Sequence, residues 1–441
     1  MLSVIFSLTT RLIAVTLTTA SILCAGIASG PMLGHVDMRE ANVWIQADSA
    51  SVLRVNYIEI GTNNSIWSQA VETKAELAHT ATITLDQVEP GKSYRYQVEV
   101  NGELSGSSAI FSTPVFYHNR MPPPDVRIAI VGAHYVPEEG YEPPYQILGS
   151  GFRIFNSILD AKPELMIWAG NTMHLRESDW ASQSGYLKRA GHARALPELQ
   201  PLLASIPQYA TWGQYDYAHG SKGRYYTYRN YAEASFKAFW PQPATANVLN
   251  GIATRFRRSD VEFFMLDVRS YRDDLPSAVK RPAILGKEQI EWLRQELRQS
   301  TATFKVIVAG APILNPAESP ENMSRASSEH TELLEMLRSE RIEGLLFVSG
   351  GKYHGELTRL VHASSYNLYD LTLGPLTANP KGSDELNYFR MPNTHTQERH
   401  FALIEFTGPE DDRQFTLRVA NMEGEELWTR SVKASQLQPT L

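Results

Sequence analysis

Leu165-Met166-Ile167-Trp168-Ala169-Gly170-Asn171-Thr172-Met173-His174 runs five apolar residues straight into a small polar loop. An unbroken apolar run of that length, closed by glycine, reads as a strand buried on both faces of a layered sheet. The same grammar recurs along the chain. Val126 to Val131 leads into Gly132-Ala133-His134, Pro207 to Trp212 into Gly213-Gln214-Tyr215-Asp216-Tyr217, and Gly344 to Val348 into Ser349-Gly350-Gly351-Lys352-Tyr353-His354. Strand ends of α/β sheets are where catalytic and binding groups gather, so these four loops are the place to look for chemistry.

Outward from the loops, Val261 to Asp267 and Phe304 to Ala309 continue the strand series, and helices intervene. Phe152 to Leu159 reads as a helix. Lys287 to Arg298 places Ile290, Leu293 and Leu297 on one face, and Glu329 to Glu340 does the same with Leu333, Leu334 and Leu337. Strands alternating with helices predict an α/β layered core over residues 125–441. Phe401 to Lys433 returns to strands with a hairpin at Glu423-Gly424-Glu425, and Asn315 to Ser328 is expected to be a mobile loop. Before the core, residues 29–116 carry short alternating strands separated by Pro90-Gly91-Lys92 and Asn101-Gly102, the pattern of a small β-sandwich of fibronectin or immunoglobulin type. Three consecutive prolines end a stiff connector over 117–124.

With 43% hydrophobic and 20% charged residues among 441, the chain has the balance of a globular protein, which excludes disordered and fibrous classes. A net charge of −7 with no long basic run argues against nucleic acid as a partner. Residues 1–28 carry Arg11 followed by an apolar stretch and small residues, the pattern of a secretory signal cleaved after Ala28. Export to a periplasmic or extracellular space follows, with an uncleaved membrane anchor as the alternative. Cys24 is the only cysteine, so disulfides are excluded as staples.

Several stretches carry a specific resemblance. Gly30-Pro31-Met32-Leu33-Gly34, Leu175 to Trp180, Leu196 to Leu203, Ile284 to Leu293, Asp370 to Thr377 and the order of the four loops are similar to the PhoD-like alkaline phosphatases. The resemblance implies an αββα metallophosphoesterase core behind a fibronectin-like domain, with iron and calcium or similar divalent metals as cofactors. In that family the first loop resembles Gly-Ser-Cys, the second Gly-Asp-x-x-Tyr, the third Trp-Asp-Asp-His-Asp/Glu and the fourth Gly-Asp-x-His-His. Here His134 stands for the Cys, Asn171 for the metal-bridging Asp and His174 for the Tyr. Gly213, Gln214 and Tyr215 occupy the third loop's Asp, Asp and His, while Gly351 and Tyr353 replace the fourth loop's Asp and first His. Asp216 and His354 survive.

A multinuclear phosphoesterase needs anionic oxygens to hold cations about 3.5–4 Å apart and to make a bound water nucleophilic. Asn171 and Gln214 supply no charge, and Gly213 and Gly351 supply no side chain. Two readings follow. In the first, the chain is a catalytically impaired relative that uses its cleft for binding. In the second, His134, His174, Asp216 and His354 form an altered site for a single zinc-like ion, with His354 as a catalytic group in a working phosphoester hydrolase. Asp216 has a bland alternative, since an Asp beside a turn often bonds its own backbone. Asp267 and Arg269 are expected to form a structural ion pair. The tyrosine- and arginine-rich stretch after the third loop makes Tyr217 and Arg224, together with Arg269 further along the chain, candidates for binding a phosphorylated or sugar-like ligand, against the alternative that its rings merely pack.

Overall fold

The computed structural model describes residues 26–142, 148–243, 249–274, 282–361 and 366–439. The apolar stretch read as a signal segment lies outside them up to residue 25, and the boundary after Ala28 falls inside the first strand.

That strand, β1 (Ile27–Val36), pairs with β2 (Ala41–Ala47), which pairs with β6 (Thr80–Leu85). A second antiparallel sheet joins β3 (Val52–Glu59), β4 (Ser65–Trp67), β5 (Val71–Glu72), β7 (Ser93–Val100) and β8 (Glu103–Ser112). Alternation along β3 turns Leu53, Val55 and Tyr57 inward, where they meet Val43, Ile45 and Ile83 of the first sheet. This sandwich is fastened to the rest of the chain. Trp44 packs at a tilt against Phe239 and donates its indole N–H to the Ala238 carbonyl at 2.8 Å, and Tyr96 donates to the Ala204 carbonyl at 2.7 Å.

The core holds two six-stranded sheets. One runs in the order β11 (Gln208–Thr211), β10 (Leu165–Ala169), β9 (Val126–Val131), β18 (His400–Thr407), β19 (Gln414–Asn421), β20 (Glu426–Lys433). The other runs β12 (Thr254–Arg258), β13 (Val261–Met265), β14 (Phe304–Ala309), β15 (Leu345–Ser349), β17 (Leu368–Thr372), β16 (Glu356–Leu360). In the second sheet the central strands β13, β14, β15 and β17 are parallel and β12 and β16 finish the edges antiparallel, whereas in the first β11, β10 and β9 form a parallel half and β18, β19 and β20 an antiparallel half. The sheets face one another through Phe304 against Phe406 and Phe415, with Ile128, Ile130 and Ile167 in the same core.

Helices cover the outer faces. α1 (Ile154–Asp160), α2 (Gln183–Arg194), α3 (Gln200–Ser205) and α5 (Arg229–Phe239) pack on Val131, Met166 and Trp168, while the single turn α4 (Gln214–Tyr217) sits at the end of β11. α6 (Lys287–Gln299) and α7 (Ser327–Ser339) lay Leu293, Leu297, Leu333 and Leu337 against the second sheet. The expected layering of helix, sheet, sheet and helix is therefore present, and β9, β10 and β14 occupy the predicted residues. α2 escapes a hydrophobicity reading because its buried face includes Arg189 and Arg194. The expected mobile loop over 315–328 is instead tied down. Asn315, Asn322 and Met323 are buried, Glu321 pairs with Arg269 and Arg272, and a 3₁₀ turn spans Met323–Ala326.

Candidate functional site

The four loops leave the ends of β9, β10, β11 and β15 and meet backbone to backbone. A Cβ on Gly350 would lie 1.7 Å from the Ala169 carbonyl oxygen, and one on Gly213 would lie 2.4 Å from Asn171 Oδ1. At Gly350 backbone blocks any side chain, and at Gly213 a side chain would have to displace the Asn171 amide. The glycine that replaces a carboxylate at position 213 thus lets the second and third loops close on each other.

Asp216 does the closing. Its Oδ2 accepts from the backbone N–H groups of Asn171 and Gly213, both at 2.6 Å. Its Oδ1 accepts from Thr172 N at 2.7 Å, Thr172 Oγ1 at 2.7 Å and Met173 N at 3.1 Å. Burial pushes this carboxyl above its ordinary value, against the pull of those donors. The bland reading of Asp216 is the one its bonds support, because both oxygens are spent on backbone. Asn171 is buried with its Oδ1 accepting from Tyr215 N at 3.0 Å.

The candidate ion site at His134, His174, Asp216 and His354 is not assembled: among the described residues no three His, Cys, Asp or Glu side chains form a group able to hold a metal ion. Each imidazole has its own local reason. His134 points into the core between Phe155 and Trp168; its Nε2 donates to the Ala193 carbonyl at 3.2 Å and its Nδ1 accepts from Thr377 at 2.8 Å. His174 donates from Nδ1 to the His134 carbonyl at 2.8 Å, which leaves Nε2 to accept from the Tyr353 hydroxyl at 2.8 Å. Burial lowers His134 to about 4 and His174 to about 3, so both rings are neutral at ordinary pH. His354 is buried 3.8 Å from Glu356 and edge-on to His395, away from that pair.

The expected Asp267–Arg269 ion pair is also corrected. Asp267 accepts from the Trp212 indole at 2.7 Å and from the backbone N–H of Arg269 at 2.8 Å, so it props the third loop directly. The Arg269 guanidinium, fully buried, pairs with Glu321 instead. Of the three candidate ligand residues, Tyr217 and Arg224 line one side cavity of about 340 Å³, and Arg269 does not reach it. Arg224 is paired with Asp273 at 2.5 Å, and buried Tyr217 donates to the Gly223 carbonyl at 3.0 Å.

Where the loops meet solvent there is a cleft of about 660 Å³, within the roughly 300–1,000 Å³ usual for small-ligand sites. His174, Tyr215 and Tyr353, three of the replaced positions, form its floor with Tyr135. The His174 ring stacks on Tyr215 at 4.6 Å between centroids and lies 4.9 Å from Tyr135. Tyr135, Tyr141, Arg176 and Lys381 line the cleft and were missed in the sequence. Tyr135 directly follows His134, and Arg176 lies two residues beyond His174, so proximity to the loops was the available signal.

A family model described as PhoD-like phosphatase matches residues 153–409, and one described only as a domain of unknown function (DUF7800) matches 24–114. The chain belongs to the PhoD-like phosphatase family. It is 23% identical over 322 residues to alkaline phosphatase D of Bacillus subtilis (strain 168), an alignment covering 63% of this chain and 54% of that protein. The chain thus spans about half the length of that relative. A solved structure of PhoD superposes with a TM-score of 0.74 at 16% identity, over 94% of this chain and 91% of its own. A purple acid phosphatase, PPD1 from yellow lupin (Lupinus luteus), gives 0.66 at 11% identity, over 91% and 74%. Both show a shared fold.

Proposed function

We propose that this chain is an exported PhoD-like protein whose hydrolytic metal site has been lost and whose cleft binds a ligand without turning it over. One observation carries the reading: at the former ligand positions, the side-chain oxygens of Asp216, Asn171 and Tyr353 are bonded to loop backbone, to Thr172 or to His174. Asp216 has both oxygens committed to five donors, and Tyr353 donates to His174. A cluster of hard cations needs several carboxylates free to turn toward it, so these residues do not fit the family's iron and calcium.

Proton transfer weighs the same way. A general base works best when its pKa lies near the working pH, whereas His174 is held at about 3 and burial raises the Tyr353 phenol. The altered-ion alternative loses support because the three imidazoles do not converge. We read the N-terminal sandwich as fibronectin-like and as a packing domain, since Trp44 and Tyr96 bind it to the core. Among the described residues no helix is long and apolar enough to cross a membrane.

Metal analysis of purified protein, with aryl phosphate assays after loading with iron, calcium or zinc, tests the proposal. Folded protein with substoichiometric metal and no turnover is expected. Stoichiometric metal that disappears in the His134→Ala/His174→Ala double variant, together with turnover, would restore the enzyme reading.

A further inference from the structure

We infer that the cleft takes a neutral, polyhydroxylated ring compound, a saccharide unit, held on the tyrosine faces that replaced the metal ligands. This rests on the binding reading above and goes beyond it by choosing among ligand classes.

The choice comes first from charge. Of the two cations lining the cleft, Arg176 is largely engaged: its terminal nitrogens donate to Glu142 at 2.6 Å and to the carbonyls of Val136 at 2.7 Å and His174 at 3.1 Å, leaving its Nε without a partner among the described residues. That leaves Lys381 and Glu177, one of each sign, neither with an ion-pair partner among the described residues. The balance is zero.

An anion has little else to bind. Phosphate groups are commonly held by clusters of backbone N–H groups at loop and helix starts. Here the N–H groups of Asn171, Thr172, Met173 and Gly213, which would make such a nest, all point at Asp216. The backbone nest that would hold a phosphoryl group is therefore already filled by a carboxylate. A cationic ligand fares no better, because the Arg176 guanidinium over Tyr135 at 4.6 Å and the Lys381 ammonium at the rim would both repel it.

Between neutral ligands, the rim decides. A purely apolar molecule has no polar group to offer the exposed Lys381 ammonium and Glu177 carboxylate at the rim. A sugar satisfies both, since its hydroxyls accept from the one and donate to the other, while its C–H faces lie on tyrosine rings. Tyr141, 46% exposed at the mouth with Lys188 Nζ 4.6 Å over its ring, offers its remaining exposed surface beside the floor.

Saturation-transfer NMR and calorimetry on the full chain, with glucose, galactose, mannose, N-acetylglucosamine and their linear oligomers, test the inference. Inorganic phosphate, choline and p-nitrophenyl phosphate serve as comparison probes. Saturable binding of at least one saccharide is expected, changing less than about twofold between low and high salt because no net charge is engaged. Tyr215→Ala is expected to weaken it at least tenfold and Tyr215→Trp to retain it. Tyr141→Ala, at an exposed ring, keeps the test valid if the Tyr215 variant is unstable. Absence of binding across the saccharide panel, or binding of phosphate or choline in its place, would overturn the inference while leaving a binding cleft possible. Hydrolysis of p-nitrophenyl phosphate by metal-loaded protein would overturn the underlying reading as well.

Discussion

Replacing Asp216 by Ala separates a structural clamp from a relic of a metal site. The carboxylate receives five hydrogen bonds, four from backbone N–H groups on two loops and one from the Thr172 hydroxyl. Hydrogen bonds to a charged group are worth roughly 1.5–3 kcal/mol each, so a simple sum gives about 7–15 kcal/mol. Burying the carboxylate costs several kcal/mol, and the loops can relax toward water once it is gone. We therefore expect a net loss of about 3–5 kcal/mol, the range seen when one side of a buried charged assembly is removed. Asp216→Asn keeps one oxygen, but its amide N–H₂ then faces N–H donors, so a loss of about 2–4 kcal/mol is expected on the same scale. Chemical denaturation gives the global value, and amide exchange at Asn171, Thr172 and Met173 reports the clamp itself. A loss below about 1 kcal/mol with those amides still protected would refute the reasoning.

Arg269→Ala strands Glu321 in the interior beside Arg272, so a loss of about 3–5 kcal/mol is expected by denaturation. Gly213→Ala drives a methyl to 2.4 Å from Asn171 Oδ1 and is expected to cost about 1–3 kcal/mol by overpacking, whereas Gly220→Ala meets open space and is expected to cost only the roughly 1–2 kcal/mol of a left-handed alanine at φ +70°. Acid should destabilise the protein early. His134 at about 4, His174 at about 3 and His400 at about 4 are held below the unfolded value, so the unfolded chain takes up their protons first. Their stabilising contribution is complete above about pH 6.5 and falls with pH until the folded values are reached, by up to roughly 1.4 kcal/mol per pH unit for each ring. Denaturation midpoints that stay flat between pH 6.5 and 4.5 would contradict this.

How much of this was legible in the chain depends on what kind of signal each part left. Parallel strands buried on both faces write themselves as apolar runs, so β9, β10 and β14 matched the expected residues. α2 did not, because Arg189 and Arg194 are buried by pairing and stacking rather than by apolarity. Arg189 bonds Asp179 at 2.7 Å, and Arg194 lies 3.7 Å over Trp240. The loops were found by their position after strands, and the loss of carboxylates within them was plain. Side-chain direction was not. Nothing in the order of residues says that His134 turns into the core or that Arg269 chooses Glu321 over Asp267, since those choices depend on which carbonyls and carboxylates tertiary packing brings near. The cleft's tyrosines came from the first, third and fourth loops, and only their convergence gives them a common face.

The most direct test of the central claim is a crystal structure of the unmodified protein soaked with iron and calcium, recorded with anomalous scattering and paired with aryl phosphate turnover in solution. We expect no ordered ion between the second, third and fourth loops, an intact Tyr353–His174 hydrogen bond, and no turnover. Two or more ions bound there, with Asp216 swung away from the Asn171–Met173 amides and phosphate released, would contradict the account.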